Sequence, residues 1–191
     1  EKAFEYFNQW FETSSKKPEH LRFMINSVVY GSILHKRLIT AFTFVEKCLI
    51  PVEAFPDPAC CTSLITACAE GQYLKLALSF FDYTKERYPK FINIFHYNAM
   101  LNVCAKAAQE QQSKKLLHDL KARGIKPITM TYNSMIEACM FDKKLPQAIA
   151  LYREMKAENL KPDSYTYNHL INCCAPGSDL DKALVFYDTM I

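Results

Sequence analysis

Between residues 129 and 163 the apolar positions change register twice. Tyr132, Met135, Ile136, Cys139 and Met140 follow the i, i+3, i+4, i+7, i+8 pattern of a helix with one apolar stripe. A polar break, Asp142-Lys143-Lys144, interrupts it. A second stripe then runs Leu145, Ala148, Ile149, Tyr152, Met155, with Pro146 in the first turn, where proline is tolerated. Asn159 is placed to cap that helix in the left-handed conformation, and Lys161-Pro162 ends it, because proline cannot continue a helix. The pattern predicts a hairpin of two helices.

The same template recurs on both sides. In residues 94–128, Tyr97, Met100, Leu101 and Cys104 form the first stripe, Leu116, Leu117 and Leu120 the second, and Gly124 and Pro127 close the unit. In residues 164–191, Tyr167, Leu170, Ile171 and Cys174 are followed by Leu180, Ala183, Tyr187 and Met190. Two weaker copies precede them. Residues 58–93 keep Leu64, Ile65, Cys68, Ala77 and Phe81; residues 22–57 keep Val28, Val29, Leu38, Ala41 and the closing Pro56-Asp57. Residues 1–21, with Ala3, Phe7 and Trp10, match the second helix of an incomplete copy. The expected domain is one continuous array, read as part of a longer one because both ends fall inside a unit. A hairpin this small cannot enclose its own apolar faces, so neighbouring units must cover one another, which gives a solenoid with an inner groove.

A second regularity overlies the first. Tyr-Asn occurs at 97/98, 132/133 and 167/168, spaced by 35, and Asn26 and Thr62 hold the asparagine register in the earlier copies. Cys68, Cys104, Cys139 and Cys174 hold another register. Equivalent residues of stacked helices lie roughly 8–10 Å apart, beyond the ~7 Å Cα separation that a disulfide spans. With eight cysteines and five scattered histidines but no paired Cys-x-x-Cys and His-x-His signature, these residues read as small buried hydrophobes, and no metal site is expected.

Composition narrows the function classes only a little. Half of the residues are apolar, enough for a core, and charged residues interrupt every stretch long enough to cross a membrane. The net charge of +3 neither requires nor excludes a polyanionic partner. Four glycines leave no material for a phosphate-binding loop, no carboxylates are gathered for catalysis, and no cofactor or small-molecule substrate is implied. The chain reads as a non-enzyme, with any catalytic domain outside it. No presequence is visible in the opening EKAFEYFNQWF.

The unit of Tyr-Asn, then Met/Leu-Ile, then Ala, then Tyr/Phe-x-x-Met, then Lys-Pro-Asp resembles the pentatricopeptide repeat family across nearly the whole chain, most sharply in TYNSMI, QAIALYREM and LKPD. The tetratricopeptide repeat has a 34-residue period and a Trp-Leu-Gly-Tyr signature absent here. The resemblance implies an all-α, right-handed superhelix of helical hairpins. It also implies binding of single-stranded RNA at one nucleotide per hairpin, with two or three side chains reading each base. Under it, the base-reading pairs are Asn26 with Asp57, Thr62 with Asn93, Asn98 with Ile128, and Asn133 with Asp163, while Asn168 stands without a second member. The implied target resembles 5′-U-A-Y-U-Y. Phe23, Phe95, Met130 and Tyr165, three residues before each reading position, are the implied stacking residues, with Ala59 a gap. Lys106, Lys143 and Lys144 are candidates for phosphate contacts.

Each assignment has a plainer counterpart: asparagine near a helix start can cap backbone N–H groups, aromatics can pack between hairpins, and lysines can be solvated surface charge. The family resemblance implies a mitochondrial or chloroplast setting and a role in RNA processing, stability or translation. The competing reading is a protein-interaction scaffold or structural subunit of an organellar ribonucleoprotein such as a mitochondrial ribosome, because a solenoid offers the same concave surface to either partner.

Overall fold

The computed structural model describes residue 9 and residues 18–46, 56–71, 73–141, 143–175 and 179–190. Among them are ten α-helices and no strand. They pair as α1 (Pro18–Leu34) with α2 (Leu38–Phe44), α3 (Pro58–Glu70) with α4 (Leu74–Arg87), and α5 (Ile94–Lys106) with α6 (Glu110–Ala122). The last two pairs are α7 (Thr129–Phe141) with α8 (Leu145–Ala157) and α9 (Ser164–Cys174) with α10 (Leu180–Met190). A short 3₁₀ turn, Pro89–Phe91, leads from α4 into α5. The expected all-α solenoid of helical hairpins is observed. Helix α1 opens at Pro18, inside the stretch assigned above to the incomplete copy; Ala3, Phe7 and Trp10 of that stretch lie outside the described residues.

The first helices α1, α3, α5, α7 and α9 stand in a row, each packed on the next. Each second helix packs on its own first helix, and α2, α4, α6 and α8 also pack on the first helix of the following hairpin. Consecutive second helices make no comparable contact among the described residues. A row that is close-packed on one side and splayed on the other bends toward the close-packed side, so the first helices line the inner surface. The core runs continuously between the two layers, from Ile25 and Val29 through Leu64, Leu101 and Ile136 to Leu170.

The cysteine register falls in the last turn of each first helix. Backbone N–H groups of Tyr73, Gln109 and Lys144 donate to the carbonyls of Cys68, Cys104 and Cys139 across the turn that ends each first helix; Arg37 donates to Ser32 in the same way. This is the long hydrogen bond of a Schellman cap. The chain reverses there through a left-handed residue, Lys36, Ala108 or Lys143, at φ between 52° and 55°. Cys68, Cys104, Cys139 and Cys174 are all buried. Burial pushes the thiols of Cys68 and Cys104 up to about 12, which keeps them protonated and inert at neutral pH. Between hairpins the left-handed residues are Gly124 and Asn159, the latter as its place in the sequence predicts.

The repeated tyrosine is a strut. Tyr97 and Tyr132 are fully buried. The Tyr97 hydroxyl donates to Asp119 Oδ2 at 2.6 Å, and that of Tyr132 donates to Glu154 Oε1 at 3.2 Å, on the second helix of the same hairpin. A lysine from the preceding hairpin completes each group: Lys85 lies 3.2 Å from Asp119, and Lys121 lies 2.7 Å from Glu154. The rings of Tyr97 and Tyr167 pack against Phe81 and Tyr152 of the preceding second helix, at centroid separations of 5.2 and 6.1 Å. Three consecutive elements thus meet at one phenol, and phenylalanine could supply only the packing.

Candidate nucleic-acid interface

On a helix, residues i and i+3 share a face. The second and fifth residues of α3, α5, α7 and α9, with Phe23 and Asn26 of α1, therefore form two parallel rows along the inner layer. The first row is Phe23, Ala59, Phe95, Met130 and Tyr165. All five residues are exposed, the four large ones between 57% and 75%. They do not fill the space between hairpins, which leaves an apolar row open to solvent beside a polar one.

The polar row is Asn26, Thr62, Asn98, Asn133 and Asn168, and each member has different surroundings. The Asn26 amide donates to Asp57 Oδ2 at 2.6 Å, and its carbonyl oxygen accepts from the Asp57 backbone N–H at 3.4 Å. The Asn133 amide donates to Asp163 Oδ1 at 2.9 Å. Thr62 turns its hydroxyl back to the Pro58 carbonyl at 2.8 Å. Asn98 is only 4% exposed; its oxygen accepts from Thr131 Oγ1 at 2.8 Å, and its Nδ2 has no partner. Asn168 is exposed. None of these asparagines caps its own helix.

Capping is done by the other members of the pairs. Asp57 accepts from Cys60 N at 2.7 Å at the start of α3, and Asp163 accepts from Thr166 N at 2.9 Å in a capping box at the start of α9. Asn93 Oδ1 accepts from Phe95 N and, at 2.9 Å, from His96 Nδ1, which sets the His96 tautomer. Ile128 occupies the same register before α7 and has no acceptor to offer. Partial burial alone would raise the Asp163 pKa, but hydrogen bonds from Thr166 and Asn133 outweigh it and hold the carboxyl below its usual range. So Asp57 and Asp163 each hold a helix start and an asparagine amide together.

The candidate phosphate contacts are divided. Lys106, at the end of α5, lies 2.6 Å from Glu137 and 5.7 Å from the Phe141 ring centroid. Lys144 lies 2.7 Å from Glu110, a carboxylate also held by Lys114. Those hydrogen bonds from Lys114 and Lys144 keep Glu110 ionised below the ordinary carboxylate range. Lys143 is exposed on its left-handed turn. A cavity of about 480 Å³ opens at this end of the first helices, lined by Thr66, Ala69, Glu70, Asn102, Lys106 and Phe141. Among the described residues no cluster of His, Cys, Asp and Glu suits a metal ion, and no helix is long and apolar enough to cross a membrane.

Sequence reasoning passed over Thr131 and Thr166. Both are fully buried, and both bind the asparagine of the preceding hairpin, Asn98 at 2.8 Å and Asn133 at 2.6 Å. The signal was present, since the dipeptide is a tripeptide, Thr-Tyr-Asn, at 131–133 and 166–168. Its contact lies across the hairpin boundary, where a reading unit by unit does not look.

Profiles of known families match most of the chain: the PPR repeat family over residues 127–176, the pentatricopeptide repeat domain over 56–107 and 91–141, and the PPR repeat over 165–191. No individually curated protein sequence matches it. Solved structures share the fold. The pentatricopeptide repeat protein PPR10 from maize aligns with a TM-score of 0.77 at 19% identity, over 99% of this chain and 26% of that one. PPR10 in complex with an 18-nt psaJ RNA element aligns with a TM-score of 0.73 at 22% identity, over 88% and 24%. The PPR domain of Arabidopsis thaliana protein-only RNase P 1, in complex with tRNA, gives 0.72 at 11% identity, over 91% and 89%. This chain therefore spans about a quarter of the length of PPR10. With the repeat profiles reaching from residue 56 to residue 191, and with the stacked hairpins that those residues build, the chain belongs to the pentatricopeptide repeat family.

Proposed function

We propose that the chain binds single-stranded RNA along the inner surface, one nucleotide to a hairpin, as a non-catalytic module. The observation that carries this reading is the exposed row of Phe23, Phe95, Met130 and Tyr165 beside the amide row. A folded array gains nothing from keeping three aromatics in water, whereas base stacking on such side chains is worth about 1–3 kcal/mol per base. The amides add donors and acceptors suited to base edges. PPR10 and the RNase P 1 domain, which share the fold, were each solved with RNA bound.

Under this reading the pairs Asn26/Asp57, Thr62/Asn93, Asn98/Ile128 and Asn133/Asp163, with Asn168, serve successive nucleotides of a target resembling 5′-U-A-Y-U-Y, although Asn98, 4% exposed, has to turn outward to reach the third. Lys143 is the most available phosphate contact, while Lys106 and Lys144 must first leave Glu137 and Glu110. A role in the handling of organellar transcripts follows from the family resemblance. The test is a titration of labelled RNAs: the 5′-U-A-Y-U-Y sequence should bind more tightly than its purine-swapped version. Phe95→Ala and Tyr165→Ala should each weaken binding by roughly 5- to 150-fold while leaving the fold intact. Equal affinity for both RNAs, or RNA crosslinks absent from Asn133 and Tyr165 while protein crosslinks form there, would replace base reading with the scaffold reading.

A further inference from the structure

We propose that Thr131 and Thr166 are positioning residues for the hairpin before their own, each fixing which end of a reading asparagine turns toward the bound base. The proposal rests on the RNA-reading function above.

The connection is easiest to see against the first hairpin. There the Asp57 backbone N–H donates directly to Asn26 Oδ1 at 3.4 Å. In the third and fourth hairpins a hydroxyl is inserted into the same link. The Ile128 N–H donates to Thr131 Oγ1 at 3.0 Å, and Thr131 donates to Asn98 Oδ1 at 2.8 Å. The Asp163 N–H donates to Thr166 Oγ1 at 3.1 Å, and Thr166 donates to Asn133 Oδ1 at 2.6 Å. Each threonine therefore bridges both members of the preceding reading pair, and the pair is in fact a triad. Position 96, which corresponds to these threonines one hairpin earlier, is a histidine that bonds Asn93 at 2.9 Å, and Thr62 turns back onto its own helix.

Counting donors decides the orientation in the fourth hairpin. An ionised Asp163 only accepts, so Asn133 must present its NH₂ to Asp163 and its carbonyl oxygen to Thr166. Thr166 Oγ1 also lies 3.0 Å from Asp163 Oδ1, but its single proton is required by Asn133. The amide is locked, and its remaining N–H is available to a base bearing a carbonyl group. In the third hairpin the Ile128 side chain offers no acceptor, so Thr131 alone orients the Asn98 amide. With Asn98 only 4% exposed, that hairpin lacks the aspartate-held, accessible amide of the fourth. Hence the fourth hairpin selects a carbonyl-bearing pyrimidine over adenine, and its selectivity depends on a hydroxyl from the fifth.

The test uses RNAs varied only at the nucleotide opposite the fourth hairpin, the fourth position of 5′-U-A-Y-U-Y. The wild-type chain should prefer uracil to adenine there by about tenfold or more, the effect of one well-placed hydrogen bond to a base edge. Thr166→Val should reduce the preference to within about threefold, and Thr166→Ser should restore it. Thr131→Val should leave this position unchanged. An independent readout without RNA is the Asn133 side-chain amide in ¹⁵N–¹H spectra, whose two proton resonances should shift and exchange faster in Thr166→Val. If Thr166→Val weakens all RNAs alike and keeps the wild-type ratio, or leaves the Asn133 amide resonances in place, the positioning role is overturned and base reading stands. If the wild-type chain distinguishes bases at no position, base reading falls and the positioning role falls with it.

Discussion

Replacing Ile128 by aspartate should stabilise the fold, although it puts a charge where an apolar residue stands. The Asn98 Nδ2 group is buried without a partner, whereas the amides of Asn26 and Asn133 have aspartate acceptors at 2.6 and 2.9 Å. Supplying the missing acceptor to a buried donor contributes about 1–3 kcal/mol. A carboxylate before α7 adds a cap of about 0.5 kcal/mol, at the low end of the usual range, because the Thr131 N–H already reaches the Ile128 carbonyl at 2.9 Å. Against this, Ile128 is 37% exposed, and losing its partial burial costs about 1 kcal/mol. The net expectation is a gain of about 1.5 kcal/mol, or a melting temperature raised by roughly 3–6 °C for a chain of this length.

The gain requires an ionised aspartate. Hydrogen bonding lowers its folded pKa below the unfolded value, as it does for Asp163. The added stability is then fully present above the unfolded value of about 4 and lost as pH falls through the folded one. Thermal and urea melts followed by circular dichroism at pH 7 and pH 3 measure both effects. The decisive control is the same substitution in an Asn98→Ala background. There only the cap and the lost apolar contact remain, so the change should become neutral or slightly destabilising, a coupling of about 2 kcal/mol. A gain that persists without Asn98, or an Ile128→Asp chain less stable than wild type at pH 7, would refute the reasoning.

Three further outcomes are expected. Glu137→Gln frees Lys106 from its 2.6 Å ion pair, so RNA affinity should rise and the slope of log affinity against log salt should steepen by about 0.7; an unchanged slope would exclude Lys106 from phosphate contact. Tyr132→Phe removes a hydroxyl that accepts from Lys121 at 3.3 Å and donates to Glu154 at 3.2 Å, and should destabilise by about 1 kcal/mol in a urea melt. Its RNA affinity should stay unchanged, because the ring lies behind the groove. Burial lowers the pKa of His96, so its contribution is complete above the unfolded value and declines as pH falls below it, by at most about 1.4 kcal/mol per pH unit. His96→Gln should flatten the stability curve between pH 7 and pH 5, with the remaining slope due in part to His169, whose pKa burial also lowers.

The fold was readable from the sequence because its cause is local and repeated. The 3.6-residue stripes at Tyr132, Met135, Ile136 and Cys139 set each helix, and their recurrence at 97–104 and 167–174 sets the stack. The exposure of Phe95 and Tyr165 was readable only as a register, since an aromatic in that position could equally have packed inward. What the pattern could not convey were pairings across units. The engagement of Asn98 depends on Thr131, 33 residues away, and that of Lys106 depends on Glu137, which lies 31 residues away. Nor does a sequence distinguish Asp163 as the end of one unit from Asp163 as the cap of the next helix, and in the folded chain it is both.

The hydroxyl bridges also change where the natural seam of the array lies. Cutting after residue 163 separates Asn133 from Thr166, which donates to it at 2.6 Å, so a hairpin transplanted on those borders loses that hydrogen bond. Recombining such modules calls for joints placed after the third residue of the following helix, so that every exchanged piece keeps its asparagine together with the clasp that holds it upright.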